Sequence, residues 1–278
     1  MLLRGLSMGG RSLSMLGDVS IASGGLGGGG AGRRWRRAVL AMATLAVLGA
    51  ACGGGGPTAA PGGASGAAVP QNLFLNPSFE EGDAPWFSLV TPGWGTPFAV
   101  SQEVAHSGRN SGLLKMRAAP EDGGTQVFGL IQEITPSQFP EFLSGYYWVD
   151  NWTRGTDKQY LQFVVIAAGA TNLHDQFNNY QIRYPLAGIS EDPFPIANAD
   201  FIFVGTGEPV EGRWVYFERD IRQDFEKVWG AVPKGFSKLR ILFEVRYDGK
   251  APGSGPAAAD VYYDDLYLGP KKANPNRP

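Results

Sequence analysis

The sequence predicts an all-β sandwich. Short apolar stretches recur from about residue 98 to near the end of the chain, several with strict apolar–polar alternation, the period of a strand with one buried face. Turn residues separate them, drawn from 40 glycines and 20 prolines, the strongest punctuation a chain carries. Only one segment, 222–229, has helical spacing, enough for a turn or two over one end of the sandwich.

In chain order, residues 1–32 are Gly- and Ser-rich without a hydrophobic period and are set aside from fold reasoning. Arg33, Arg34, Arg36 and Arg37 then precede an apolar run over 38–51 and Cys52. A basic region, a short apolar region and small residues before a cleavage point are the parts of a secretory signal. The run of about 14 residues is shorter than the roughly 20 that a membrane span needs. Leu48-Gly49-Ala50-Ala51-Cys52 resembles a bacterial lipobox, with the large aliphatic one position further from the cysteine than usual. The resemblance implies a lipoprotein signal peptide over 1–51, lipidation of Cys52, and a membrane contact through the lipid alone. The alternative is an ordinary signal peptide with an incidental cysteine. Either way the expected address is extracytoplasmic. Residues 52–71, almost all Gly, Ala, Pro, Ser and Thr, read as a flexible linker, and 270–278 as a disordered polar tail.

The leader holds six arginines and one aspartate of the chain's 24 basic and 26 acidic residues, which leaves 18 and 25 and a net charge of −7. An acidic domain lacks the basic footprint of nucleic-acid binders. Cys52 is the one cysteine, so no disulfide supports the fold, and roughly 200 residues are enough to build a core instead.

The domain spans 72–269. Strands are expected at 98–103, 113–118, 126–134, 143–152, 160–167, 180–184, 201–204, 213–221, 239–247 and 261–269. In 143–152, Tyr146, Trp148, Asp150 and Trp152 fall on one face, with Tyr147 and Val149 on the other. The nearly all-apolar 160–167 reads as buried on both faces. In 239–247, Leu239, Ile241, Phe243, Val245 and Tyr247 point inward, with Arg240, Glu244 and Arg246 outward. Segment 168–212 is less regular and reads as long loops or an inserted hairpin, where binding commonly sits.

The terminal strand holds two adjacent carboxylates, Asp264 and Asp265, and aspartate is a poor strand residue. The expected counterpart is a first strand over 72–82 containing Glu80, lying beside the last. Several pieces together resemble galactose-binding-like jelly-roll domains, including carbohydrate-binding modules: Asn76-Pro77-Ser78-Phe79-Glu80-Glu81-Gly82 followed by a Trp; His106-Ser107-Gly108 followed by Ser111 and Leu113; Gln132 with Tyr146-Tyr147; Trp214-Val215-Tyr216-Phe217; and Tyr263-Asp264-Asp265-Leu266. The resemblance spans the whole domain and departs from it in the length of 168–212. It implies a jelly-roll β-sandwich with an extended insertion and one short helix. It also implies a structural Ca²⁺ near the chain ends, held by the side chains of Glu80 and Asp264 and by carbonyls of the Ser107 to Asn110 hairpin. Calcium takes six to eight oxygens, carboxylate and carbonyl mixed. The alternative is that Glu80 and Asp264 cap turns or pair with arginines.

Catalytic constellations are thin. His106 and His174 lie far apart without metal-ligand spacing, and His106 falls in the hairpin, where turn packing explains it. Outside the leader there is no G-x-S-x-G elbow. Glu218 with Asp220, and Glu191 with Asp192, are acid pairs of the kind glycosidases use but that any acidic chain offers. Aromatics are the better clue, because sugar C–H faces stack on flat rings while hydroxyls bond polar side chains. The candidate ligand residues are Phe128, Trp148, Asp150, Trp152, Arg154, Tyr180 and Tyr184, whereas Trp86, Trp94 and Trp214 are assigned to the core. The expected function is a lipid-anchored, non-catalytic protein that binds poly- or oligosaccharide. The alternatives are a structural lipoprotein with an envelope-protein partner, and a polysaccharide lyase or hydrolase.

Overall fold

Residues 71–173 and 177–270 are described by the computed structural model. The leader, Cys52, the linker, His174 and the tail beyond Pro270 lie outside the described residues. Two five-stranded sheets face each other as a jelly-roll β-sandwich. The first runs β1 (Ala99–Ser101), β2 (Ser111–Ala118), β10 (Ala257–Gly269), β4 (Phe142–Thr153), β8 (Val215–Asp220); the second runs β3 (Gly124–Ile134), β9 (Lys238–Lys250), β5 (Gln159–Ala168), β6 (Asn179–Ala187), β7 (Ala199–Phe201). All pairings are antiparallel except β6 with β7.

The core forms where the inward sets of the two sheets meet. Phe163 of β5 stacks on Phe217 of β8 at 5.4 Å, and Phe243 of β9 meets Tyr263 of β10 at 5.1 Å. Each such ring, fully buried, stabilises the sandwich by roughly 1.5–3 kcal/mol of apolar transfer. The helix α1 (Ile221–Trp229) closes one end: the Asp220 carboxylate caps the Gln223 amide, Gly230 ends it in a left-handed turn, and Ile221 and Phe225 enter the core.

Three features depart from the sequence expectation. The 72–82 segment is not a strand. It lies beside β10, donating Leu73 N to Leu268 O and accepting from Leu266 N at Pro77 O, but Asn76 and Phe79 have positive φ, which breaks a continuous ladder. Segment 168–212, expected as long loops or an inserted hairpin, adds β6 and β7 to the edge of the second sheet, with β6 longer than the strand expected at 180–184. Glu244 and Arg246 point away from the core as expected yet are buried, with Glu244 at 3% and Arg246 at 7% exposure. Phe194 lies against the Arg246 and Arg183 guanidiniums and Lys158 Nζ donates to Pro193 O, so the chain after β6 covers this outer face. Its other margin is covered by the chain around 87–95. Phe87 and Trp94 bridge to the β3 edge, and Leu89 and Trp94 pack on Ile131, Val164 and Leu242.

Candidate functional site

The outer face of the first sheet is partly covered: Trp148, Asp150 and Tyr216 are half-buried, whereas Tyr146, Tyr262, Asp260 and Asp264 are buried, and its residues are set by two bulges. Asn151 in β4 and Asp265 in β10 have φ of 55° and 48°, and the β10–β4 register shifts at both places. A bulge inserts one residue and reverses the alternation beyond it. At Asp265 the result is that Tyr263 and Leu266 both reach the core while Asp264 stays on the outer side. At Asn151 the reversal turns Trp152 toward the core margin, away from the face that holds Trp148.

Three cross-strand rows follow from the register. Asp264, Tyr146 and Tyr216 form one, Tyr262 and Trp148 the next, and Lys115, Asp260 and Asp150 the third. Across the first two rows runs a contiguous series of rings. Tyr216 lies 5.1 Å from Tyr146, Tyr146 stacks on His106 at 3.6 Å, His106 meets Trp214 edge-on at 5.6 Å, and Trp214 meets Trp148 at 5.9 Å. Trp148, Trp214, Tyr216 and His106 are half-buried. Ring tips are tied to carboxylates. Trp148 Nε1 donates to Asp150 at 2.6 Å, Tyr216 OH to Glu218 at 2.7 Å, and Tyr262 OH to Glu103 at 2.8 Å. Burial and the Glu103 carboxylate together push the Tyr262 phenol up. At the β4 end the face opens into a polar depression of about 700 Å³, lined by Arg117, Asp150, Asn151, Trp152 and Glu211 among others. Arg117 bonds Asp260, which also accepts from Asn151 Nδ2.

At the other end lie the paired aspartates. Asp264 is fully buried; its Oδ2 accepts the amides of His106 at 2.7 Å and Ser107 at 3.1 Å, and its Oδ1 accepts the Asp265 amide. Burial, then the neighbouring Asp265, pushes the Asp264 carboxyl up to about 7, against the pull of those three amides. Asp265 accepts from the hydroxyls of Ser78 and Ser107 at 2.7 Å each and meets His106 Nδ1 at 2.6 Å. Glu80 Oε1 accepts the amides of Arg109 and Asn110, both at 2.8 Å. Gly108, at φ +62°, sits under it, where a Cβ would meet Glu80 Oε1 at 2.5 Å.

The expected calcium residues Glu80, Ser107, Asn110 and Asp264 thus surround one turn. Ser107 and Asn110 meet Asp264 and Glu80 through their backbone N–H groups, and Ser107 also meets Asp265 through its hydroxyl. Among the described residues no group of three or more Asp, Glu, His or Cys side chains is placed to hold one metal ion. The donor set still suits a cation in one respect: Asp264 is a buried acid beside a second acid, without a Lys or Arg partner among the described residues.

Of the candidate ligand residues, the structure places Trp148 and Asp150 on the open face and Trp152 in the depression beside it. Phe128, Tyr180 and Tyr184 are core, at 3%, 0% and 0% exposure. Phe128 lies beneath Gly95, Tyr184 stacks on Phe163 at 4.4 Å and Tyr180 abuts Trp229. The reason is that β6 pairs with β5 within the second sheet, so its alternate rings face inward. Arg154 is engaged in structure, bonding Glu208 and the carbonyl of Gly188. Sequence reasoning missed His106, Tyr216 and Glu218 as members of the face, and placed Trp214 in the core. Ring and acid two apart on a strand, as in Trp148 with Asp150 and Tyr216 with Glu218, was the available signal.

No family model matches the chain, and the search of curated proteins returns no match. Among solved structures it is similar to TmCBM61 in complex with β-1,4-galactotriose, with 14% identity over 72% of this chain and 99% of that one, and a TM-score of 0.37. It is also similar to the CBM22-1 xylan-binding domain of Paenibacillus barcinonensis Xyn10C, with 15% identity over 74% and 99% of the two chains and a TM-score of 0.36. The CBM22-1-CBM22-2 tandem of the same protein matches at 18% identity over 72% of this chain and 50% of that one, with a TM-score of 0.39. Likeness at this level assigns no ligand to the chain.

Proposed function

We propose that the open face of the first sheet binds poly- or oligosaccharide without catalysis, on a protein tethered outside the cytoplasm by a lipid at Cys52. The observation that carries the reading is the half-buried ring cluster Tyr216, His106, Trp214 and Trp148 gathered about the buried Tyr146, with Asp150 and Glu218 fixing ring tips at its two ends. Flat rings give a sugar C–H surface, and carboxylates beside them accept its hydroxyls. The locked tips hold the rings in place before the ligand arrives, which lowers the ordering entropy that binding otherwise costs. The test is retention of the purified protein on a panel of soluble and insoluble polysaccharides, repeated with Trp148→Ala and Trp214→Ala. Retention lost in both variants supports the reading; retention on no polymer overturns it.

A structural Ca²⁺ between Glu80 and Asp264 is part of the same proposal. Its support is the buried Asp264–Asp265 pair, whose negative charge a divalent ion would offset. It is checked by the melting temperature with calcium and with chelator: Ca²⁺ raises it in the wild type, and less in Glu80→Gln.

The His106–Asp265 contact beside Tyr146 favours one second reading, an acid–base centre acting on a bound glycan. Release of reducing ends from any polymer the protein retains, lost in His106→Gln, would establish it.

A further inference from the structure

Resting on the glycan reading, we infer that this face takes sugars bearing free amino groups in preference to N-acetylated or acidic ones. The inference starts from a contrast with those carboxylates that the molecule pairs with cations. Glu133 is held by Lys238 and Arg240, Asp224 by Arg219, Glu208 by Arg154, and Glu244 and Asp248 by Arg246. On the open face, Asp260 is neutralised by Arg117, but Asp150, Glu103 and Glu211 have no Lys or Arg partner among the described residues. Each is bonded instead by a neutral donor: the Trp148 indole, the Tyr262 phenol and the Trp152 amide. A neutral donor orients a carboxylate without cancelling its charge. Lys115 stands opposite Asp260 in the register, on the row that Arg117 already serves, and Arg213 precedes Trp214 with an exposed side chain.

The charge is placed where rings are. Asp150 sits at the tip of Trp148, beside Trp214, and at the mouth of the polar depression with Glu211. An aromatic face combined with an uncancelled carboxylate is the chemistry that recognises an ammonium group: the ring quadrupole attracts the cation and the acid accepts its protons. The same field repels a uronate. An N-acetyl group keeps the sugar's shape and removes the charge, so it isolates the effect.

The experiment measures binding of the purified protein at about 0.15 M salt, where surface charges separated by more than about 8 Å are screened. The probes are chitosan and a glucosamine tetramer, the same two after chemical N-acetylation, and polygalacturonate. The expected result is at least tenfold tighter binding of the free-amine forms, no binding of polygalacturonate, and a preference cut at least threefold in Asp150→Asn, in which the amide oxygen still accepts from Trp148. Equal binding of the amine and N-acetyl forms overturns the inference and leaves the glycan reading standing. Binding of no probe or other polysaccharide overturns the glycan reading. Binding of the amine forms undiminished in Trp148→Ala assigns the effect to bulk charge and overturns the inference.

Discussion

The outer faces of the two sheets have the same starting material and opposite outcomes. Both carry rings and carboxylates on alternate strand positions. On the second sheet, Tyr160, Gln162, Glu244, Arg246 and Asp248 are buried, beneath chain that follows β6. Arg246 lies over the Tyr160 ring and pairs both acids, and Tyr160 OH donates to Asp248 at 2.9 Å. Burial is the main reason the Tyr160 phenol is pushed far up, and the neighbouring acids are why Arg246 keeps its proton despite burial. On the first sheet Tyr146 and Tyr262 are also buried, but Trp148, Trp214, Tyr216 and His106 stay half-buried and several acids have only neutral donors. One face is closed and charge-balanced, as a structural layer must be, because a buried unpaired charge is expensive. The other is partly open, and Asp150, Glu103 and Glu211 keep neutral donors where solvent reaches them.

That comparison can be broken by substitution. The largest effects belong to the closed side. Arg246→Ala leaves Glu244 and Asp248 buried without a cation, and the expected loss is about 3–5 kcal/mol in denaturant unfolding. Tyr184→Ala removes a core ring stacked on Phe163 and costs a similar amount, about 3–5 kcal/mol. On the open side Asp150→Asn shifts stability by no more than about 0.5 kcal/mol. A loss at Asp150 as large as that at Arg246 would erase the distinction.

Next in size is the buried aspartate between the two chain ends. With chelator present, the folded Asp264 carboxyl titrates near 7 instead of near its ordinary value of 3.8. Between those pH values the folded state holds a proton that the unfolded state has released. Stability therefore falls as pH rises from about 4 to about 7 and levels off above, with a ceiling of about 4 kcal/mol for a shift of this size. The fall should be absent in Asp264→Asn and reduced by Ca²⁺. A stability that rises over the same window in chelator would contradict the assignment. Smaller still is Gly108→Ala, which strains a positive φ and drives a Cβ into Glu80, with an expected cost of about 1–3 kcal/mol. Glu80→Ala in the same background should recover part of it.

Most of the sandwich was legible because strand periodicity is local. The alternation in Leu239 to Tyr247 gives β9 its inward face, and the helical spacing of 222–229 marks the helix α1. What was illegible depended on parity and cover. Nothing in 143–152 announces that Asn151 adopts positive φ, so Trp152 was expected beside Trp148. Segment 180–184 is expected as a strand, but the face that Tyr180 and Tyr184 present is illegible because it is set by the pairing of β6 with Leu161 to Ala168, across the sheet. Trp214 was assigned to the core since a ring at the start of a strand carries no sign of its face; only its contacts with Trp148 and His106 place it. The ring–acid pairs spaced by two were visible throughout and were the site's own signature.

The most direct test of the central claim is titration calorimetry of the purified protein with a retained polysaccharide, comparing wild type with Trp148→Ala and with Phe194→Ala, a ring on the closed side. The account predicts at least a tenfold weaker affinity for Trp148→Ala, about 1.4 kcal/mol, with an unchanged melting temperature, and an unchanged affinity for Phe194→Ala with a lowered melting temperature. Unchanged affinity in Trp148→Ala together with weakened affinity in Phe194→Ala would place the ligand on the wrong face and contradict it.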